Sequence, residues 1–456
     1  MAALEAQITQ WRHYLSRSRA LDRPDVDELE CHLREQIDAL GQAGLAEDEA
    51  FLVAVKRMGA VDALSREFAR EHSGRLWKQL VLPPDTEPER RASGLPGALV
   101  LAVLAAAAIQ LPRLVGLGLT GDAENTLYLH NAALLVLPFL AGWFAVRRQL
   151  TRRQILATAA PFVLGAVLIN AYPWGPDASD GETVSATELL AALHLPVVLW
   201  FAVAHAFMGG TWRSHERRMD AVRFTGEWIV YYTLIALGGA VLMGLTGSIL
   251  EPVAPGAVEP MLQWVIPSGA AGAVLVAAWL VEAKQDVVEN MAPVLTAVFT
   301  PLVAVVLAGS AATYAVVAFT GGFHREILGV FDALLVLVLG LVLYGISARD
   351  PGHPAGILDR LQLVAVASAL ALDAVVLAAI VARVGDLGWT PNRVAALGLN
   401  LVLLVNLARS AQLSVCFLTG RAAFHRLERW QMAYLPAYGL WPATVVAALP
   451  LLFTFA

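Results

Sequence analysis

Apolar and polar residues are arranged in two different ways along this chain. Up to about residue 73, apolar side chains recur at helical spacing among charged ones. Leu4, Ile8, Trp11 and Leu15 follow one another at steps of four, three and four, which is one face of a helix. Val26, Leu29, Leu33, Ile37 and Leu40 make a second stripe, started by Asp22 and Pro24 and stopped by Gly41 and Gly44. "LAEDEAFLVAVKRMG" predicts a third helix ending at Gly59, and "AVDALSREFAREH" a fourth that turns Leu64 and Phe68 inward. From Leu95 onward the alternation stops and long, nearly uncharged apolar runs take over.

A membrane-spanning helix needs about 20 apolar residues. Eleven stretches qualify, near 95–117, 126–146, 154–172, 188–210, 227–249, 262–281, 293–318, 331–347, 362–384, 394–418 and 435–455. The predicted fold class is all-α: a polytopic helical membrane protein of about eleven spans behind a small cytoplasmic bundle of three or four helices. The domains read as a head over 1–73, a juxtamembrane segment and linker over 74–94, and a multi-span body over 95–456.

Composition sharpens this division. Of 456 residues, 57% are hydrophobic and 15% charged, against about 25% charged in an ordinary soluble chain. Residues 1–94 hold 13 of the 32 Lys/Arg and 17 of the 38 Asp/Glu. A net charge of −4 in that head argues against a nucleic-acid surface. With the head inside, the cytoplasmic loops carry fourteen Lys/Arg and the opposite loops two. That bias predicts a cytoplasmic N-terminus and, with an odd number of spans, an external C-terminus. The expected location is a bacterial inner membrane. Cys31 and Cys416 lie too far apart in sequence to imply a bridge and have no metal-ligand spacing, so both read as buried or silent thiols.

In "SGRLWKQLVL", Leu76, Trp77, Leu80 and Val81 fall on one side and Arg75, Lys78 and Gln79 on the rest. Trp77 flanked by Arg75 and Lys78 suits a helix anchored at the membrane surface, with the lipid bilayer as partner. The alternative is a last turn of the head's own core. "PPDTEPERR" then acts as a stiff spacer.

The stretch "DVDELECHLREQIDALGQAGLAEDEAFLVAVKRMGAVDALSREFAREH" resembles the permease prefix domain, a short helical module that precedes membrane domains in many bacterial proteins. It is similar too to the helical modules of membrane proteins associated with PadR-type regulators. "EAKQDVVENMAPVLTAVFTPL" and "DLGWTPNRVAALGLNLVLLVNL" resemble the multi-pass domain of bacterial membrane proteins of that group. The resemblance implies a cytoplasmic head on a multi-pass body and transfers no activity.

Enzyme motifs are missing: there is no HExxH, GxSxG, phosphate-binding loop or CxxC. Neither an enzyme activity nor a cofactor is expected. Polar residues inside the apolar runs stand out, because burying charge in hydrocarbon is costly. Asp373 and Arg409 lie roughly 16 and 13 Å from the inner ends of two consecutive spans, so an Asp–Arg pair, direct or through a water or Asn406, is expected. Such a pair either holds the helices together or couples a proton or substrate. Asn400 lies further outward. His194, Phe201 and His205 make a second polar stripe, with the histidines too far apart along the helix to share a metal. Asn131 and Asn170 add isolated amides.

Two functions fit these readings. One is a non-enzymatic regulatory or sensory protein whose head meets a cytosolic protein partner. The other is a secondary transporter that uses Asp373 and Arg409.

Overall fold

The computed structural model describes residues 4–5, 7–9, 11, 23–42, 45–58, 95–114, 127–175, 184–251, 254–283, 300–301, 303–309, 311, 325–349 and 355–455. The chain divides into two compact units, Met1–Ser93 and Gly94–Ala456. No strand occurs among the described residues.

In the first unit, α1 (Arg23–Gln42) and α2 (Glu47–Met58) pack against each other. Leu33, Ile37 and Leu40 of α1 meet Phe51, Ala54 and Val55 of α2, with Ile8 and Trp11 completing the core. These are the stripes that the spacing predicts. α1 runs on through Gly41 to Gln42 rather than stopping at the glycine. At the surface, Arg34 donates to both oxygens of Glu5, at 2.6 and 2.9 Å, and to Glu30 at 3.0 Å. Those hydrogen bonds hold the exposed Glu5 carboxyl below its ordinary range. Cys31 is exposed and Cys416 half-buried, and both are free thiols. The predicted fourth helix and the Arg75–Trp77–Lys78 segment lie outside the described residues.

The second unit begins with α3 (Leu95–Ala108), α4 (Leu111–Leu114), α5 (Leu127–Arg147), α6 (Arg152–Ala171), α7 (Ala186–Phe207), α8 (His215–Leu250) and α9 (Pro255–Ala283). It continues with α10 (Arg325–Ala348), α11 (Ile357–Leu387), α12 (Pro391–Leu418), α13 (His425–Ala447) and α14 (Leu449–Leu452). α3 shows what solvent this unit is built for. Its buried face is Ala98, Ala102, Ala105 and Ala108, while Leu99, Val100, Val103 and Leu104 point outward. Small residues inside let helices approach closely: Ala102 carries its carbonyl to within 3.6 Å of where a Cβ on Gly272 of α9 would stand. Large apolar residues outside suit hydrocarbon, not water. α6 repeats the arrangement, with Gly165 packed on Leu195 and Leu164 and Val167 facing out.

Seven described helices are long and apolar enough to cross a membrane: α5, α6, α7, α8, α9, α11 and α12. α3 and the Asp332–Ser347 part of α10 are shorter apolar helices. α13 overlaps the last expected span but begins with the charged turn His425–Arg429, and it gives way to α14 at Ala448. Most of 293–318 lies outside the described residues.

Among the described residues, two large apolar cores fill the unit, beside a small third one of Ala395, Val445 and Leu449. One joins α3, α5, α6, α7 and α9 with the first turns of α8. The other joins α10, α11, α12 and α13, with Met219 of α8. α7 packs on α13, linking the halves. One end of the bundle is pinned by arginines. Arg147 and Arg148 both pair with Glu282, at 2.9 and 3.1 Å. Arg218 reaches the Met432 carbonyl at 2.7 Å, and Arg349 pairs with Asp359 at 2.8 Å while lying over the Phe417 and Phe424 rings.

Candidate functional site in the membrane-type helices

The α11–α12 hairpin follows from its turn sequence. Gly388 ends α11 at a φ of 76°, a left-handed conformation that glycine adopts without strain. Thr390 then caps α12 by accepting from the Arg393 amide, with Pro391 at the first helical position. The two helices therefore return antiparallel and pack along their lengths. α12 turns a polar column inward: Asn400, Asn406, Ser410 and Ser414 are all buried.

Asp373 of α11 faces this packed interior. Its accessible surface is zero, and neither carboxylate oxygen has a hydrogen-bond partner among the described residues. The expected partner is elsewhere. Arg409 is exposed, donates to Gln412 at 2.6 Å and lies 6.0 Å from the Trp430 ring. The Asp373–Arg409 pair is thus not formed. The reason is helical phase: Arg409 sits beside Leu401, Val405, Ala408 and Gln412 on the exposed side, one step round from the buried Asn406 and Ser410.

A second acid, Asp332 of α10, reaches the same polar column through Asn400. Asp332 accepts from Asn400 Nδ2 at 2.8 Å, and the same nitrogen donates to the Ala396 carbonyl at 2.8 Å. The Asn400 Oδ1 has no partner. Counted from the hairpin turn, Asp373 lies roughly 7 Å deeper along the bundle than Asn400. Below it Asn406 accepts from Trp430 Nε1 at 2.9 Å. Gln431 Nε2 donates to Ser410 Oγ, which donates to the Asn406 carbonyl at 2.7 Å. The result is a line of amides and hydroxyls across the hydrocarbon zone, with two carboxylates, Asp332 and Asp373, beside it.

The histidine stripe is real, but its members stand apart. His194 Nδ1 donates to the Leu190 carbonyl at 2.8 Å, an ordinary intrahelical bond. His205 is buried and stacks on Trp212, with ring centroids 6.1 Å apart, and both its nitrogens lack partners. Phe201, between them in the stripe, stacks on the same indole at 6.0 Å. No group of three or more His, Cys, Asp or Glu that could hold a metal occurs among the described residues. Asn131 and Asn170 are not isolated: they exchange two hydrogen bonds at 2.9 Å.

Two features escape a reading of the sequence. Asp332 heads an apolar run, "DALLVLVLG", and reads as the edge of a span. His130 of α5 and Glu188 of α7 form a buried pair at 2.7 Å, with 7% and 5% of their side chains accessible. Each sits at the start of its own apolar run, and spacing along the chain does not connect them. The pair lies near an aromatic cluster in which Trp174 approaches His130 at 5.9 Å and Tyr172 at 5.4 Å.

These features define a class: an all-helical protein with the build of a multi-pass membrane protein and a polar line inside its C-terminal helices. Compared with protein-family models, curated proteins and solved structures, the chain matches none.

Proposed function

We propose that this is a proton-coupled secondary transporter of a bacterial inner membrane, with Asp373 as the group that takes up and releases the proton. The observation that carries the reading is the Asp373 carboxylate: fully buried and without a hydrogen-bond partner among the described residues. An isolated carboxylate in hydrocarbon takes a proton rather than remain charged. Loading and unloading that proton changes the charge of a packed helix interface, which is the kind of step that biases one helix arrangement over another. Arg409, exposed on the other side of α12, has no part in it. The Lys/Arg bias of the loops supports a cytoplasmic N-terminus, with the arginine-pinned end on the same side.

A regulatory protein is the second reading. It is favoured by the N-terminal unit, which has a core of its own and suits a cytosolic protein partner.

Proteoliposomes loaded with a pH-sensitive dye test the transporter. Under an inside-negative potential, solute pools of defined chemistry are added one class at a time. Internal acidification with one class, lost in Asp373→Asn, is the expected result. Acidification unchanged in Asp373→Asn removes Asp373 from the coupling, and none with any class favours the regulatory reading.

A further inference from the structure

The N-terminal half of the membrane-type unit holds a cavity of about 680 Å³ between α5, α7, α8 and α9. That is in the range of pockets that take a small ligand. Its walls are almost wholly apolar, including Val136, Val197, Trp200, Trp228 and Pro267. It opens among side chains such as Ala132 and Val197 that also face outward. One end of it is different. Ile109 lines the cavity there, and Gln110 and Arg113 follow it in the chain. Gln110 donates to the Trp264 carbonyl at 2.8 Å and to Ser268 Oγ at 2.9 Å, and its own oxygen has no partner. Arg113 lies 5.0 Å from the Trp264 ring and gives one guanidinium nitrogen to Gln263. Its other terminal nitrogen is buried without a partner. The nearby Glu259 is exposed and accepts from Gln263, and Arg113 has no carboxylate partner among the described residues.

Arg113 stands 18 residues beyond the start of α3, roughly 27 Å at 1.5 Å per residue, close to the ~30 Å of bilayer hydrocarbon. Ile109 lines the slot and Arg113 follows it by four residues, about one helical turn, so a cation whose terminal nitrogen has no partner among the described residues stands just beyond that end, at headgroup level. We propose that the cavity is a binding site for an anionic phospholipid of the surrounding bilayer: one acyl chain fills the slot, and the headgroup phosphate accepts from Arg113. Guanidinium and phosphate make strong charge-assisted hydrogen bonds, and an acyl chain matches the lining. The site is independent of Asp373, which lies in the other core.

The test uses the full chain in phosphatidylcholine vesicles containing phosphatidylglycerol with a photoactivatable acyl chain. Adducts are mapped by mass spectrometry. Labelling should concentrate on the cavity faces of α5, α7 and α9, above that on the exposed Leu237–Ile249 side of α8. Ala132→Trp, which fills the slot from an exposed position, should abolish the excess. Arg113→Gln should reduce cavity labelling by about tenfold, the loss of one charge-assisted hydrogen bond, to the level of a phosphatidylcholine probe. Cavity labelling no stronger than on α8, or unchanged in Arg113→Gln, overturns the proposal, and that second arm stands even if Ala132→Trp does not fold. A photoactivatable fatty acid that labels the cavity where the phospholipid does not also overturns it.

Discussion

At the scale of single residues, the difference between Asp373 paired and Asp373 alone changes the sign of a mutation. Paired with Arg409, its removal would strand a buried cation and destabilise the fold by several kcal/mol. Alone, it is itself the cost. A buried polar group without a partner is unfavourable by about 1–3 kcal/mol. Asp373→Leu is therefore expected to raise the thermal unfolding midpoint of the purified protein while removing any proton coupling. A lowered midpoint would mean that the carboxylate makes a stabilising contact after all. A residue kept at a cost to stability is the pattern expected of function rather than of packing.

At the scale of elements, the buried His130–Glu188 contact ties α5 to α7. His130→Ala leaves the Glu188 carboxylate buried with only its turn for support, and should destabilise by about 3–5 kcal/mol. The double change His130→Leu with Glu188→Leu should recover most of that. Unfolding in a denaturing detergent titration measures both, and two single losses that simply add would show that the residues do not interact. This pair also marks the limit of what the sequence can tell. Elements set by local signals are legible: the head stripes, the apolar runs, and the α11–α12 turn written as Gly388, Thr390 and Pro391. Contacts set by how helices rotate against one another are not. Arg409 and Asn406, three residues apart, read as one face, yet one ends exposed and the other buried. Asp332 and Glu188 open apolar runs, where an acid ordinarily marks a membrane edge, and only packing brings them inside. Span lengths also shift: α8 extends to 36 residues because its charged first turns at His215–Arg223 continue the helix beyond the apolar run, while α3 stops after 14.

At the scale of the whole molecule, the exposed surface of the second unit is that of a protein dissolved in lipid. Leu237, Val241, Leu242, Leu245 and Ile249 on α8 are each more than half exposed, an arrangement that only hydrocarbon makes favourable. The proposed orientation has the arginine-rich end in the cytoplasm. Reporter fusions after residues 150, 220 and 355 are expected to read cytoplasmic, and those after 180, 255 and 388 external. An external reading at 220 would invert the arrangement. The central claim is that the sealed Asp373 is reached from each side of the membrane in turn. The most direct measurement places a cysteine there, Asp373→Cys, in a chain with Cys31 and Cys416 changed to Ser. It is exposed to a membrane-impermeant thiol reagent in right-side-out and in inside-out vesicles. The account predicts modification from both sides, with a control cysteine at the lipid-facing Leu401 unmodified from either. Modification from neither side, or from one side alone, would contradict it.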